Sequence, residues 1–167
     1  MLNFVPKEFL LVAGLLAVPT AAGLAQNPDI SRISRNDPRL IRLQEYFAER
    51  KCPLHRLAAD FLAAADENNL DWRLLPSLSM VETGGGKGTR NNNLFGWNCG
   101  RTSFRSGKES IHVVAAKLSQ SRLYKGKDTD GILRTYNSNP RYAERIKAVM
   151  QTIGSPDLTA VALAALN

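Results

Sequence analysis

Histidine and cysteine are scarce in this chain, with two of each in 167 residues. There is no Cys-x-x-Cys pair, and neither His55 nor His112 lies in a ligand-spaced cluster, so no zinc site and no other metal is expected. Gly86-Lys87-Gly88 lacks the Ser or Thr that ends a phosphate loop, and no strand-like segment precedes it. No apolar run reaches bilayer length; Phe9 to Val18 is too short to span one comfortably. Internal repeats and low-complexity tracts are absent, and nothing calls for a cofactor. Acid is missing as well: no Asp or Glu occurs between Glu82 and Glu109.

What is present fits one globular domain. Hydrophobic residues make up 44% and charged residues 22% of the chain, which is ordinary usage. Residues 1–25 have the layout of a secretory signal peptide. The apolar run ends at Pro19, and Gly23 and Ala25 take the −3 and −1 positions of a cut before Gln26. The rival readings are an uncleaved anchor or a buried helix. Export to the periplasm, the medium or the wall is expected, with the membrane engaged only through this segment. Outside the cytoplasm a lone cysteine pair forms a disulfide, so Cys52 and Cys99 are expected to be bonded. Such a link would stabilise the fold by about 4 kcal/mol in the chain-entropy view. The competing use is Cys52 as a nucleophile with His55 or His112. The net charge of +7 survives removal of the first 25 residues, because Lys7 and Glu8 cancel. That surplus favours an anionic partner. For an exported chain with scattered basic residues, that partner is cell-wall polymer rather than nucleic acid; simple solubility is the alternative.

Residues 26–38 are polar and punctuated by proline, and read as a linker. Helical spacing then begins, with Leu40, Leu43, Tyr46 and Phe47 on one face. A second helix follows Pro53, with Leu54, Leu57, Ala58, Phe61, Leu62 and Ala65 facing inward. A third runs from about Leu75 to Thr83, with Pro76 tolerable in its first turn, and Gly84-Gly85-Gly86 stops it. Residues 84–107 are rich in Gly, Asn and Ser and read as a loop or small hairpin. Ser106 and Glu109 have capping-box spacing and open a fourth helix. A fifth covers about Thr129 to Tyr136. A sixth starts at Asn139-Pro140, with Tyr142, Ile146, Val149, Met150 and Ile153 inward. The expected fold is mainly α, one domain over residues 39–155 with a polar insertion. Residues 156–167 form a tail that adds a short helix at most.

Chemistry is sought at that insertion. Glu82 closes an apolar helix, and both the helix dipole and an apolar surround are expected to raise its pKa, as suits a general acid. The three glycines are expected to leave room beside it for an extended ligand. Asn92, Asn93, Phe95, Gly96 and Trp97 follow within 15 residues. Amides and flat apolar faces together suit sugar rings. Phe95 and Trp97 suit the core equally well.

Four segments, in order, resemble the bacterial N-acetylglucosaminidases of glycoside hydrolase family 73. Glu82-Thr-Gly-Gly-Gly-Lys87 is similar to their E-[ST]-G-x-G-K motif, and Asn92-Asn93-Leu94-Phe95-Gly96 to N-N-L-F-G. Phe104-Arg105-Ser106 with Glu109-Ser110 resembles a shortened F-R-x-Y-x-S-x-x-E-S. Tyr136-Asn-Ser-Asn-Pro-Arg-Tyr142-Ala143 resembles Y-x-T-D-P-x-Y-A. Together they cover about residues 70–153. The resemblance implies a lysozyme-like α-lobe with a truncated β-hairpin or loop lining a cleft. It implies cleavage of β-1,4 bonds in peptidoglycan strands by a monomer. Glu82 takes the general-acid position, Tyr136 that of the active-site tyrosine, and Asn93, Phe95, Gly96 and Trp97 line the cleft as substrate-binding residues. By its helical register, Tyr142 is expected in the core. Glycosidases of this kind commonly use two carboxylates, and many family members carry the second in the hairpin missing here. Asp128, Asp130 or the substrate's own N-acetyl or hydroxyl group then serves, as in lytic transglycosylases. The remaining alternative is a non-catalytic wall-binding or assembly module.

Overall fold

A computed structural model describes residues 33–158. The segment expected to be a signal peptide, most of the expected linker and the last nine residues lie outside this range. Six α-helices follow in order: α1 (Pro38–Glu49), α2 (Ala58–Glu67), α3 (Leu74–Thr83), α4 (Gly107–Gln120), α5 (Thr129–Tyr136) and α6 (Pro140–Ile153), with a 3-10 turn, Pro53–Leu57, before α2. No strand forms among the described residues, so the fold is mainly α and residues 84–106 form turns and bends rather than a hairpin.

Local chemistry sets these boundaries. The side chains of Asp37, Ser106, Asp128 and Asn139 each accept a backbone N–H at a helix start, and Pro38 and Pro140 occupy first-turn positions where no intrahelical donor is needed. Asp37 does more than cap. It is buried and paired with buried Arg39 at 2.8 Å, and Arg39 also grips Asp66 at 2.8 Å. The stretch read as linker therefore becomes part of the domain by Asp37. At the other end, Arg42 donates to the carbonyls of Thr152 and Ile153, tying α1 to the end of α6.

The core lies where α3 meets α6 and α2 meets α4. Phe47, Phe61 and Phe95 are fully buried and form a chain of rings with centroids 5.7 and 6.5 Å apart. Burying each such ring stabilises the fold by roughly 1.5–3 kcal/mol. Phe95 matters most for the site, because it draws the polar insertion onto the helical core and fixes the chain on either side of it.

Candidate active site

Glu82 lies in the last turn of α3, and the helix ends where the sequence predicts. The N–H groups of Gly84 and Gly85 take up the carbonyls of Met80 and Ser79. Gly85 is required twice over: its φ is +67°, and a Cβ there would lie 2.5 Å from Cys52 Sγ and 2.7 Å from Met80 Sδ. Gly86 packs the same way on Leu54. Gly85 and Gly86 thus let the turn lie down on the core rather than opening the space expected for a ligand, whereas a Cβ at Gly84 would meet nothing closer than 3.9 Å. Lys87 fastens the turn by donating to the Arg50 carbonyl at 2.8 Å.

A second segment comes up to Glu82 from the insertion. The Thr83 hydroxyl lies 2.9 Å from the Leu94 carbonyl, and the Leu94 N–H donates to buried Ser110 on α4. Asn93 is buried; its carboxamide accepts from Trp97 N–H at 2.8 Å and donates to the carbonyls of Trp97 and Thr102, each at 3.0 Å. Asn92 reaches the Phe104 carbonyl in the same manner. The loop so clamped carries Gly96 at φ +59°, where an added Cβ would sit 3.1 Å from Glu82 Oε2. A side chain there would meet the left-handed strain and would press on the carboxylate, which would have to shift.

The result is an open cleft of about 560 Å³ bordered by Glu82, Gly96, Trp97, Cys99, Thr102, Tyr124, Tyr136 and Asn137. Glu82 is exposed at it, so the apolar enclosure expected from the sequence is not there. Rings form one wall. Trp97 lies 6.4 Å from Tyr124 and 5.9 Å from Tyr136, and Tyr136 stacks on Tyr142 at 5.9 Å with 7° between planes.

Tyr136 borders the cleft and Tyr142 packs partly against the core, as expected, but their hydroxyls go to each other's expected destinations. Tyr142, expected in the core, is half-buried and donates to Glu82 Oε1 at 2.7 Å. Tyr136, expected to aim its hydroxyl at the chemistry, donates to the Phe95 carbonyl at 2.5 Å and presents its ring to the cleft. Residue 142 falls one turn into α6, which starts beside the end of α3 and so points its first turn at Glu82 as well as at the core. Burial, then the hydrogen bond to Glu82 and its charge, push the Tyr142 phenol far above its ordinary value; burial and then the Glu82 charge do the same for Tyr136. Both remain protonated donors at physiological pH.

Of the other expected site residues, Phe95, Gly96 and Trp97 border the cleft, Phe95 with its ring buried in the core, whereas Asn93 is a loop clamp. Cys52 and Cys99, expected to be bonded, are not paired with each other in the structure. Cys52 is buried under the glycine turn, against Met80 Sδ at 3.7 Å, while Cys99 is exposed on the cleft loop. Nor is Cys52 placed beside a base. Burial raises its thiol above the ordinary value against the pull of Lys87 and Arg50, and His55 Nδ1 faces the Cys52 carbonyl rather than the sulfur. His112 is engaged with Asp60 and Glu67.

A second acid is not found at the cleft among the described residues. Glu109 accepts from the Arg105 N–H in front of α4, Asp128 caps α5, and Asp130 pairs with Lys147. No group of described residues is arranged to hold a metal. Tyr124, Thr102 and Asn137 are cleft residues that the sequence reading missed; Tyr124 belongs to no motif, and its burial at the α4–α5 turn leaves no periodic signal. No protein-family model matches the chain, and no curated protein matches it.

Proposed function

We propose that this chain is an exported peptidoglycan hydrolase of lysozyme-like type, cleaving β-1,4 glycosidic bonds with Glu82 as general acid. One observation carries the reading: a single exposed carboxylate, held by a tyrosine hydroxyl and overhung by a glycine backbone, stands at an open cleft walled with aromatic rings. In its acid form Glu82 gives a proton to the glycosidic oxygen as the bond to C1 breaks. Trp97 and Tyr136 offer flat faces to the C–H side of the sugars, and Thr102 and Asn137 offer polar groups for hydroxyl and N-acetyl substituents. Tyr142 positions the carboxyl group.

The lone acid favours a particular variant of this reaction. With no second carboxylate at the cleft among the described residues, the cation developing at C1 is met by the substrate's own N-acetyl oxygen or hydroxyl rather than by a protein nucleophile. Reducing-end analysis of the product separates hydrolysis from anhydro-sugar formation. Lysis in a peptidoglycan zymogram tests the whole reading. Glu82→Gln, folded as judged by circular dichroism, is expected to lose roughly 10²–10⁴ in rate. A variant that clears the wall within tenfold of the wild type refutes the assignment. A wild type that binds wall without lysing it establishes the binding-module alternative.

A further inference from the structure

The Glu82 cleft does not stand alone. Three hollows follow one another along the α4–α5 connection. Tyr124 borders both the Glu82 cleft and a cavity of about 350 Å³ between the C-terminal ends of α2 and α4. Gly126 and Lys127 in turn border both that cavity and an open hollow of about 660 Å³ against α5. The middle cavity has an apolar floor, with Leu118 and Ile132 buried, and a rim of amides. Asn68 is fixed there: its Oδ1 accepts from Ser119 and Gln120, and its Nδ2 donates to Ala64. Asn69 and Gln120 are exposed beside it. Asn69 sits at φ +52°, which turns the chain at the end of α2 and brings its side chain to the rim.

We propose that this amide-rimmed cavity is a remote subsite that binds sugars of the same glycan strand whose cleaved bond lies at Glu82, with Tyr124 as the shared wall between them. The proposal rests on the glycan reading above and adds that the ligand is recognised as a polymer. A compact ligand fills one hollow. A strand of linked rings is the ligand class that occupies adjoining hollows at once, and an apolar floor beneath amide donors and acceptors suits a sugar with one C–H face and an N-acetyl group.

Calorimetric titration of the full chain tests this, in a Glu82→Gln background that prevents turnover, with β-1,4-linked N-acetylglucosamine oligomers of three and six sugars. The hexamer is expected to bind more tightly than the trimer. Asn69→Gly, which keeps the left-handed backbone, combined with Gln120→Ala should weaken hexamer binding about tenfold, as the loss of two polar contacts implies. Trimer affinity and melting temperature should not change. Equal affinity for the two oligomers, or a double variant that affects both alike, overturns the remote subsite and leaves the cleft reading standing. If neither oligomer binds, the glycan reading and the subsite fall together.

Discussion

Replacing Tyr142 by Phe removes one oxygen atom and leaves the ring stacked on Tyr136. The bond lost is a 2.7 Å phenol-to-carboxylate hydrogen bond. A hydrogen bond to a charged group is worth about 1.5–3 kcal/mol at most, but Glu82 is exposed and water takes the vacated position. The stability cost should therefore stay below about 1 kcal/mol, in line with other solvent-exposed pairs. The rate responds differently, because an acid that swings away from the glycosidic oxygen loses alignment, and misplacement by about 1 Å costs on the order of 10²-fold. Tyr136→Phe reverses the pattern. It strips the Phe95 carbonyl of its donor next to the buried Phe95 ring, and an unsatisfied buried acceptor costs about 1–3 kcal/mol. For a domain of this size that lowers the melting temperature by roughly 3–15 °C. Turnover of soluble wall fragments and calorimetric melting, measured on both variants, decide the matter. A Tyr142→Phe protein with normal turnover, or a Tyr136→Phe protein with unchanged melting and lost turnover, refutes the assignment of the two hydroxyls.

Three further outcomes follow from the same contacts. Gly84→Ala meets nothing closer than 3.9 Å and should cost only the left-handed strain of about 1–2 kcal/mol, whereas Gly85→Ala adds overlap with Cys52 Sγ and should cost several kcal/mol more, as chemical denaturation will read; equal losses would show that the turn is not seated on Cys52. His112 is held above its ordinary value by its contact with Asp60 against burial, aided by the charges of Glu67 and Asp60. Its stabilising contribution is thus complete below about pH 6.5 and is lost as the pH rises through the higher folded value; melting curves of the wild type should fall across that window, and those of His112→Gln should be flatter. Thiol titration of the purified chain should find Cys99 reactive in the native state and Cys52 only after denaturation, and the absence of both thiols would restore the disulfide.

Two of the helices were legible from their own start signals. Ser106 with Glu109 and Asn139-Pro140 act within one turn of chain, and the structure places helix starts at both, while Asp37-Pro38 is a third such signal inside the stretch read as linker. Glu82 was legible as a group poised at a helix end before a glycine stop. The apolar surround was not, because exposure depends on where α6 and the insertion dock. Tyr142 shows the same limit: helical period sorts residues into an inner and an outer face, but a position at a helix mouth belongs to both. Its ring packs beside the core while its hydroxyl leaves the core for Glu82.

The asparagines make the sharper case. Their number between Glu82 and Glu109 suggests amides set out for sugar hydroxyls, yet most are explained by the backbone. Asn91, Asn92 and Asn98 occupy left-handed conformations at φ +53°, +56° and +55°, where asparagine is tolerated better than most residues. Asn93 spends its carboxamide on three backbone groups of the loop. Composition cannot separate an amide that binds a ligand from one that shapes the loop around it, since both uses select the same residue. What separates them is which hydrogen-bonding capacity the protein leaves unspent. By that criterion the groups left free are Thr102 at the cleft's edge and Asn69 beyond Tyr124, while Asn137 and Gln120 keep only the part of their amides not used on Asn139 and Asn68. The motif asparagines serve to hold Gly96 against Glu82.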